Sequence, residues 1–252
     1  MNGPALRARG LHRSFGGLKA TNDVSFDVEQ DSVTALIGPN GAGKTTVFNL
    51  IANLFPIEAG EIEFEGRRID GMSPERIAEL GLIRTFQTAR VFPGLTVLEN
   101  VKVGRSRLNR HGFWHQAFWT RSSRNEERDL ERRADALLEL AGLTQYRDAH
   151  AVDLPMGAQK LLEILRALMA QPRLLLLDEP AAGLNDTETA ELAALLMVIR
   201  ASGITVLIVE HNMSLVMGVA DRIVVLESGS VIATGTPTQI QQNERVIKAY
   251  LG

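Results

Sequence analysis

Nine consecutive residues, Gly38, Pro39, Asn40, Gly41, Ala42, Gly43, Lys44, Thr45 and Thr46, follow the spacing Gly-x-x-x-x-Gly-Lys-Thr. That spacing suits the gripping of phosphates. Glycines let successive backbone N–H groups turn toward one anion, and a helix beginning at Lys44 adds the positive end of its dipole. Lys44 is placed to reach terminal phosphates and Thr45 to hold Mg2+. A second run, "LLLLDEP", delivers Asp178 and Glu179 at the end of an apolar strand, the edge where ligands bind in parallel sheets. Asp178 suits the hydration shell of the metal, and Glu179 the polarisation of an attacking water. A third run, "LIVEHN", ends in His211, read as a contact to the γ-phosphate that senses hydrolysis. Together the three predict a nucleotide-hydrolysing site.

These residues need a scaffold. Short β-rich runs open the chain at 24–29, 33–38 and 60–66, separated by Gly and polar turns. A helix is predicted after Lys44, ending before Pro56 because Phe55 precedes a proline. From about residue 75 to 171 the periodicity is helical, clearest in "RRADALLELAGL" and "AQKLLEILRALMAQ", the latter predicted to run to Gln171 before Pro172. Strands and helices then alternate: "RLLLLD", a helix opened by an Asn-x-x-Glu capping pair and closed at Gly203, "ITVLIV", a hairpin turning at Ser228–Gly229, and a short helix near Pro237. The predicted class is α/β: a parallel-sheet core with a small antiparallel β-subdomain and an inserted helical subdomain. One domain spans residues 1–252, with core and β-subdomain in 1–87 and 167–252 and the helical part in 88–166.

Composition narrows the functions. The chain has no cysteine, which excludes disulfides, zinc fingers and thiol catalysis. A net charge of −3 gives no general reason to expect nucleic-acid binding. The longest apolar runs fall far short of the ~20 residues that span a bilayer. The N-terminus has no apolar stretch suited to a signal peptide, so the expected location is cytoplasmic, with any membrane role peripheral.

At this point the chain resembles the nucleotide-binding subunits of ABC transporters, P-loop NTPases, over nearly its whole length. By that resemblance Gln87 in "RTFQTAR" matches the Q-loop, which reaches Mg2+ and the membrane subunit, and Phe15 in "RSFGG" the aromatic that stacks on adenine. Gly183, Leu184 and Asn185 match the D-loop, and His211 the switch histidine. "GLIRTFQTARVFPGLTVLENV", "LDEPAAGLN", "EHNMSLVMGVADRIVVLESG" and "VIKAYLG" look like the ATPases of branched-chain amino acid uptake, particularly the member with a longer helical insertion. The resemblance implies ATP and Mg2+ as ligands, two transmembrane permeases, a second ABC ATPase and, indirectly, an extracytoplasmic solute-binding protein. It also implies a place on the inner face of the membrane.

Leu154, Pro155, Met156, Gly157 and Ala158 occupy the family's signature position, usually LSGGQ, which closes over the γ-phosphate held by the partner's phosphate loop. Pro155 removes a hydroxyl and an N–H, while Gly157 and the helix dipole remain. Residues 105–124, "RSRLNRHGFWHQAFWTRSSR", hold five arginines, both tryptophans and no acid. They read as a surface excursion, a membrane-side docking segment or a nucleic-acid contact. A soluble ABC ATPase acting on nucleic acid or ribosomes is the rival function. It would carry tandem nucleotide domains or sustained heptads, and neither is present here.

Overall fold

A computed structural model of the chain describes residues 3–85, 91–106 and 121–251. Gln87 and the insertion residues Arg107, Arg110, Trp114 and Trp119 lie outside the described residues. The chain divides into two compact units, residues 1–87 with 173–252, and residues 88–172.

In the larger unit β1 (Leu6–Phe15) and β2 (Leu18–Val28) form an antiparallel pair, followed by β3 (Val33–Ile37) and α1 (Lys44–Ile51). Then come β4 (Ala59–Phe64), β5 (Arg67–Arg68), α2 (Pro74–Glu79) and β6 (Leu82–Arg84). The smaller unit holds α3 (Val97–Ser106), α4 (Arg121–Leu140) and α5 (Met156–Met169). The chain re-enters the larger unit with β7 (Leu174–Asp178), α6 (Asp186–Ala201), β8 (Thr205–Val209) and α7 (Met213–Val219). It ends with β9 (Arg222–Glu227), β10 (Ser230–Gly235), α8 (Pro237–Gln241) and α9 (Glu244–Leu251).

Among the described residues these strands make two sheets, one ordered β2-β1-β4-β5 and one ordered β10-β9-β3-β8-β7-β6. The first is antiparallel; in the second every neighbour pair from β9 to β6 is parallel, and β10 closes the edge antiparallel. All residues of β3, β7 and β8 are buried, which is why these strands read as near-continuous apolar runs rather than alternating ones. The core gathers α1 with both sheets: Val47, Phe48, Leu50 and Ile51 pack with Leu6, Phe26, Ile62 and Phe64 of one sheet and Leu36, Leu176, Leu207 and Val224 of the other. A helix apolar on several sides is what such a sandwiched position requires.

Three local expectations are corrected. The helical stretch predicted from 75 to 171 is interrupted by β6, whose three residues pair with Leu174–Leu176; a strand this short carries no readable period. The long β1 was not foreseen, because a register shift between Ala8 and Leu11 breaks its alternation. The second helix ends at Met169 rather than Gln171, since Gln171 takes a left-handed φ of 56°. Residues 166 and 167, between which the helical part was expected to end, lie inside α5, which contacts α3 and α4; the compact units divide at 172/173.

The tightest approach in the smaller unit is between α3 and α5. A Cβ added at Gly104 would lie 1.9 Å from the Arg166 carbonyl oxygen and 3.1 Å from Met169 Cβ. The obstacle is helix backbone, which cannot swing away. Gly104→Ala is therefore expected to destabilise by about 1–3 kcal/mol through overpacking, despite alanine's better helix propensity. Urea unfolding of the full chain followed by circular dichroism checks this; an unchanged midpoint would refute it.

Candidate nucleotide site

The phosphate loop leaves β3 at Ile37 and enters α1 at Lys44. It is pressed between its neighbours. A Cβ at Gly38 (φ 152°) would lie 2.1 Å from the Leu226 carbonyl oxygen, and one at Gly43 (φ 100°) 2.3 Å from that of Ala20. Any side chain at either position would force this backbone open, so glycine is required by space as well as by φ. The Gly229 N–H donates to the Ala42 carbonyl at 3.0 Å and ties the loop to the β9–β10 turn. Lys44 folds back over the loop: its Nζ donates to the carbonyls of Gly38 at 2.8 Å and Pro39 at 2.9 Å. Burial lowers the pKa of this ammonium, and the nearby Glu179 carboxylate opposes that shift. Thr45 is exposed and Thr46 half-buried at the start of α1.

Parallel pairing brings the second cluster to the same sheet. Asp178 ends β7 opposite Val209 of β8, and the Glu179 N–H donates to the Val209 carbonyl at 2.9 Å. Glu179 then turns left-handed, with φ 49°. Its Oε1 lies 2.9 Å from His211 Nε2, so two residues 32 apart in sequence touch through their side chains. Asp178 is buried, and its Oδ2 accepts from Arg84 Nη2 at 2.8 Å. The same guanidinium donates through Nη1 to Asn49 Oδ1 on α1 at 2.6 Å. Asp178 Oδ1 is buried and has no hydrogen-bond partner.

Glu210, between β8 and His211, is also buried. Its Oε1 accepts from the Ala181 N–H at 2.6 Å, and its Oε2 from the N–H groups of His211 at 2.9 Å and Asn212 at 3.1 Å. Of the D-loop residues, Gly183 has φ 79°, Leu184 donates its N–H to the Ala181 carbonyl, and Asn185 caps α6. Asn185 Oδ1 accepts from the Glu188 N–H at 3.0 Å while Glu188 Oε2 accepts from the Asn185 N–H at 3.0 Å. Phe15 stands exposed at the end of β1, edge-on to Phe55 at 5.4 Å, with the Arg13 guanidinium 5.0 Å above its ring. The hydroxyl of Tyr250, on α9, bonds with the Gly38 backbone; burial raises its pKa and that bond opposes the shift.

The signature-position residues belong to the smaller unit. Leu154 and Gly157 are buried, Ala158 is half-buried, and Met156 is 61% exposed. Pro155 is the N-cap of α5 and supplies no side-chain acceptor. The loop is held from the far side by Gln159, whose Nε2 donates to the Leu154 carbonyl at 2.9 Å. Arg105, the first residue of the segment read as a surface excursion, a docking segment or a nucleic-acid contact, donates to Gln171 Oε1 at 3.0 Å in this same unit.

Sequence reasoning missed Arg84, Asn49, Glu210 and Tyr250. Arg84 and Tyr250 lie inside runs quoted for their likeness, and Glu210 directly precedes the histidine. No spacing rule, however, joins Arg84 to a carboxylate 94 residues away. Removing one partner of a buried ion pair typically costs ~3–5 kcal/mol because the other charge is left uncompensated. Arg84 is slightly open to solvent, with a side chain 16% exposed, so the lower end of that range applies. Arg84→Met is thus expected to destabilise by about 3 kcal/mol, and adding Asp178→Asn should recover most of the loss; denaturant unfolding of both chains measures it. Equal stability of the single variant and the wild type would contradict the pairing.

The sequence matches the ABC transporter family model over residues 21–182 and, over residues 230–252, a model described as branched-chain amino acid ATP-binding cassette transporter. It is 45% identical to the high-affinity branched-chain amino acid transport ATP-binding protein BraF of Pseudomonas aeruginosa, aligned over all of this chain and 99% of that one. Identity to LivG of Escherichia coli, a protein of the same description, is 42% over equal spans. A solved ATP-binding cassette of an ABC transporter superposes with a TM-score of 0.86 at 31% identity, and one in its ADP conformation with 0.84 at 32%; each comparison covers 99% of both chains. With a family match across both the phosphate loop and the strand that carries Asp178, and relatives aligned end to end, this chain belongs to the ABC transporter family as one of its ATP-binding subunits.

Proposed function

We propose that this chain hydrolyses ATP to drive an importer of branched-chain or related amino acids or amides, one of two ATPases docked on two permeases at the inner face of the membrane. A solute-binding protein outside would feed the permeases. The names of the relatives and the C-terminal match at 230–252 support the solute class. Among the described residues no helix is long and apolar enough to cross a membrane, in keeping with a peripheral place. Both compact units would act as one domain of 252 residues, and the partner ATPase is taken to be a different chain.

The observation that carries the hydrolytic reading is the contact of Glu179 with His211 beside the loop bearing Lys44. In this reading Lys44 exchanges its two loop carbonyls for the terminal phosphates, the loop N–H groups and the start of α1 bind the remaining oxygens, and Phe15 stacks on adenine. Glu179 takes the proton of the attacking water, and His211, within hydrogen-bond reach, orients that carboxylate and meets the γ-phosphate. Thr45, Gln87 and Asp178 would hold Mg2+, which supplies charge neutralisation at the phosphates. The buried, unpartnered Oδ1 of Asp178 fits such a hard cation. Among the described residues no cluster of three or more His, Asp or Glu could hold a metal alone. Mg2+ bound through one carboxylate plus substrate phosphates needs no such cluster. Leu154 to Ala158 would serve the partner's ATP through the start of α5, and Gly183, Leu184 and Asn185 would line the junction.

Glu179→Gln is expected to keep ATP affinity while slowing turnover by ~10²-fold or more, as loss of a general base implies. Calorimetry on the full chain and phosphate release by the assembled transporter measure the two quantities. Wild-type turnover would refute the assignment.

The signature reading makes its own prediction. A hydrogen bond to a charged group contributes ~1.5–3 kcal/mol, and one that tightens in the transition state changes the rate tenfold or more. Pro155→Ser with Ala158→Gln should accelerate the assembled complex accordingly. The gain should vanish when the partner's phosphate-loop lysine is replaced and persist when Lys44 is replaced. A gain that depends on Lys44 instead would overturn the reading.

A further inference from the structure

The hydrolytic reading uses Glu179 and His211 but not the carboxylate between their loops. Glu210 is 2% exposed, yet it makes no ion pair among the described residues. Its charge is met by three backbone N–H groups, at Ala181, His211 and Asn212. An ionised carboxylate is costly to bury, so its persistence in a strand-end position needs these bonds. The bond to Ala181 is the shortest of the three and crosses 29 residues of sequence. Ala181 lies two residues after Glu179, across Pro180, and His211 is the next residue after Glu210.

We propose that Glu210 is a positioning residue for hydrolysis: its carboxylate staples the turn after β7 to the turn after β8 and thereby sets the contact between Glu179 and His211. The inference rests on the hydrolytic reading of those two residues. Its physical basis is the backbone at Glu179. A φ of 49° is unfavourable for a residue with a Cβ, and such a conformation persists only where surrounding bonds over-determine it. The Ala182 N–H closes the turn onto the Glu179 carbonyl, and two bonds tie that turn to the neighbouring strand end. The Glu179 N–H is held by the Val209 carbonyl, and two residues on, the Ala181 N–H is held by Glu210. Releasing the second lets the turn relax about Pro180 and carries the Glu179 side chain away from His211. Neither nucleotide phosphates nor adenine would touch Glu210, so binding should not register the change.

Glu210→Asp separates the staple from the local turn. One methylene shorter, the side chain can still accept N–H bonds from the next two residues, as aspartate does in its own turns, but it cannot span to Ala181. Glu210→Gln tests the same bond differently, setting an NH2 against backbone N–H groups. Turnover of the assembled transporter and ATP affinity of the full chain are measured for each, alone and with His211→Ala. For Glu210→Asp the expected result is a fall in kcat of roughly 10- to 10²-fold, the scale of an ångström-level misplacement, with KM and ATP affinity within about twofold of wild type. Combined with His211→Ala it should lower kcat by less than about twofold further, because the geometry it sets is already lost. Amide exchange at Ala181 should speed up while that at Asn212 stays slow.

Unchanged kcat in Glu210→Asp, an equal fall with and without His211, or ATP affinity lost in step with thermal stability would each overturn the inference. Should Glu210→Gln fail to fold, the aspartate variant alone decides. Wild-type turnover in Glu179→Gln or His211→Ala would instead sink the hydrolytic reading, and is seen without any substitution at Glu210.

Discussion

Two buried carboxylates, at the ends of neighbouring parallel strands, are the constraint on which the rest of this site depends. Asp178 and Glu210 close β7 and β8, each 2% exposed. Removing such charges from water costs several kcal/mol apiece unless each is paired or bonded. The fold answers with two different devices: a guanidinium from β6 for Asp178 and three backbone amides for Glu210. Each device recruits a distant segment. Arg84 brings in β6 and, through Asn49, the helix after the phosphate loop; Glu210 brings in the turn that carries Glu179. Compensating the two charges therefore assembles the edge of the sheet to which hydrolysis is proposed.

The phosphate loop obeys a related rule. Lys44 is buried and bonded to carbonyls of its own loop, so its ammonium is already held close to where phosphates would sit. In the proposed reading a nucleotide would replace these partners rather than enter an unformed site, and the loop would have little conformational freedom to lose. The glycines make this possible by letting β2 and β9 press directly on the loop backbone.

Helix starts carry the same logic into both compact units. The first N–H groups of α2, α3, α6, α7, α8 and α9 are met by a side chain at or beside the cap: Ser73, Thr96, Asn185, Asn212, Thr236 and Asn243. The starts of α1 and α5 have no such side chain, since Gly43 and Pro155 stand at their N-caps. In the proposed reading these are the two helices that serve phosphates, one for the chain's own ATP and one for its partner's. Leaving their amides uncapped keeps donors and dipole for a ligand, at the loss of ~1 kcal/mol of helix stability that a capping side chain would contribute.

Much of this was legible in one dimension. The Gly-x-x-x-x-Gly-Lys-Thr spacing, the Leu-rich run before Asp178 and Glu179, and the run before His211 are local patterns, each set by chemistry that a few consecutive residues must perform. The parallel core, the hairpin at Ser228–Gly229 and the Asn185–Glu188 capping box could likewise be read, because period, turn residues and caps are short-range signals. The bulged β1 and the three-residue β6 were not, since a register shift erases alternation and a short strand exists only through its neighbour. Nor did residue order reveal that Arg84 compensates Asp178, that Glu179 touches His211, or that Glu210 reaches Ala181. Residue order thus marked the candidate residues for phosphate chemistry; the groups that neutralise and hold them came only from the folded chain, because buried charges are satisfied by whatever the sheet order brings within hydrogen-bond reach, whatever their distance along the chain.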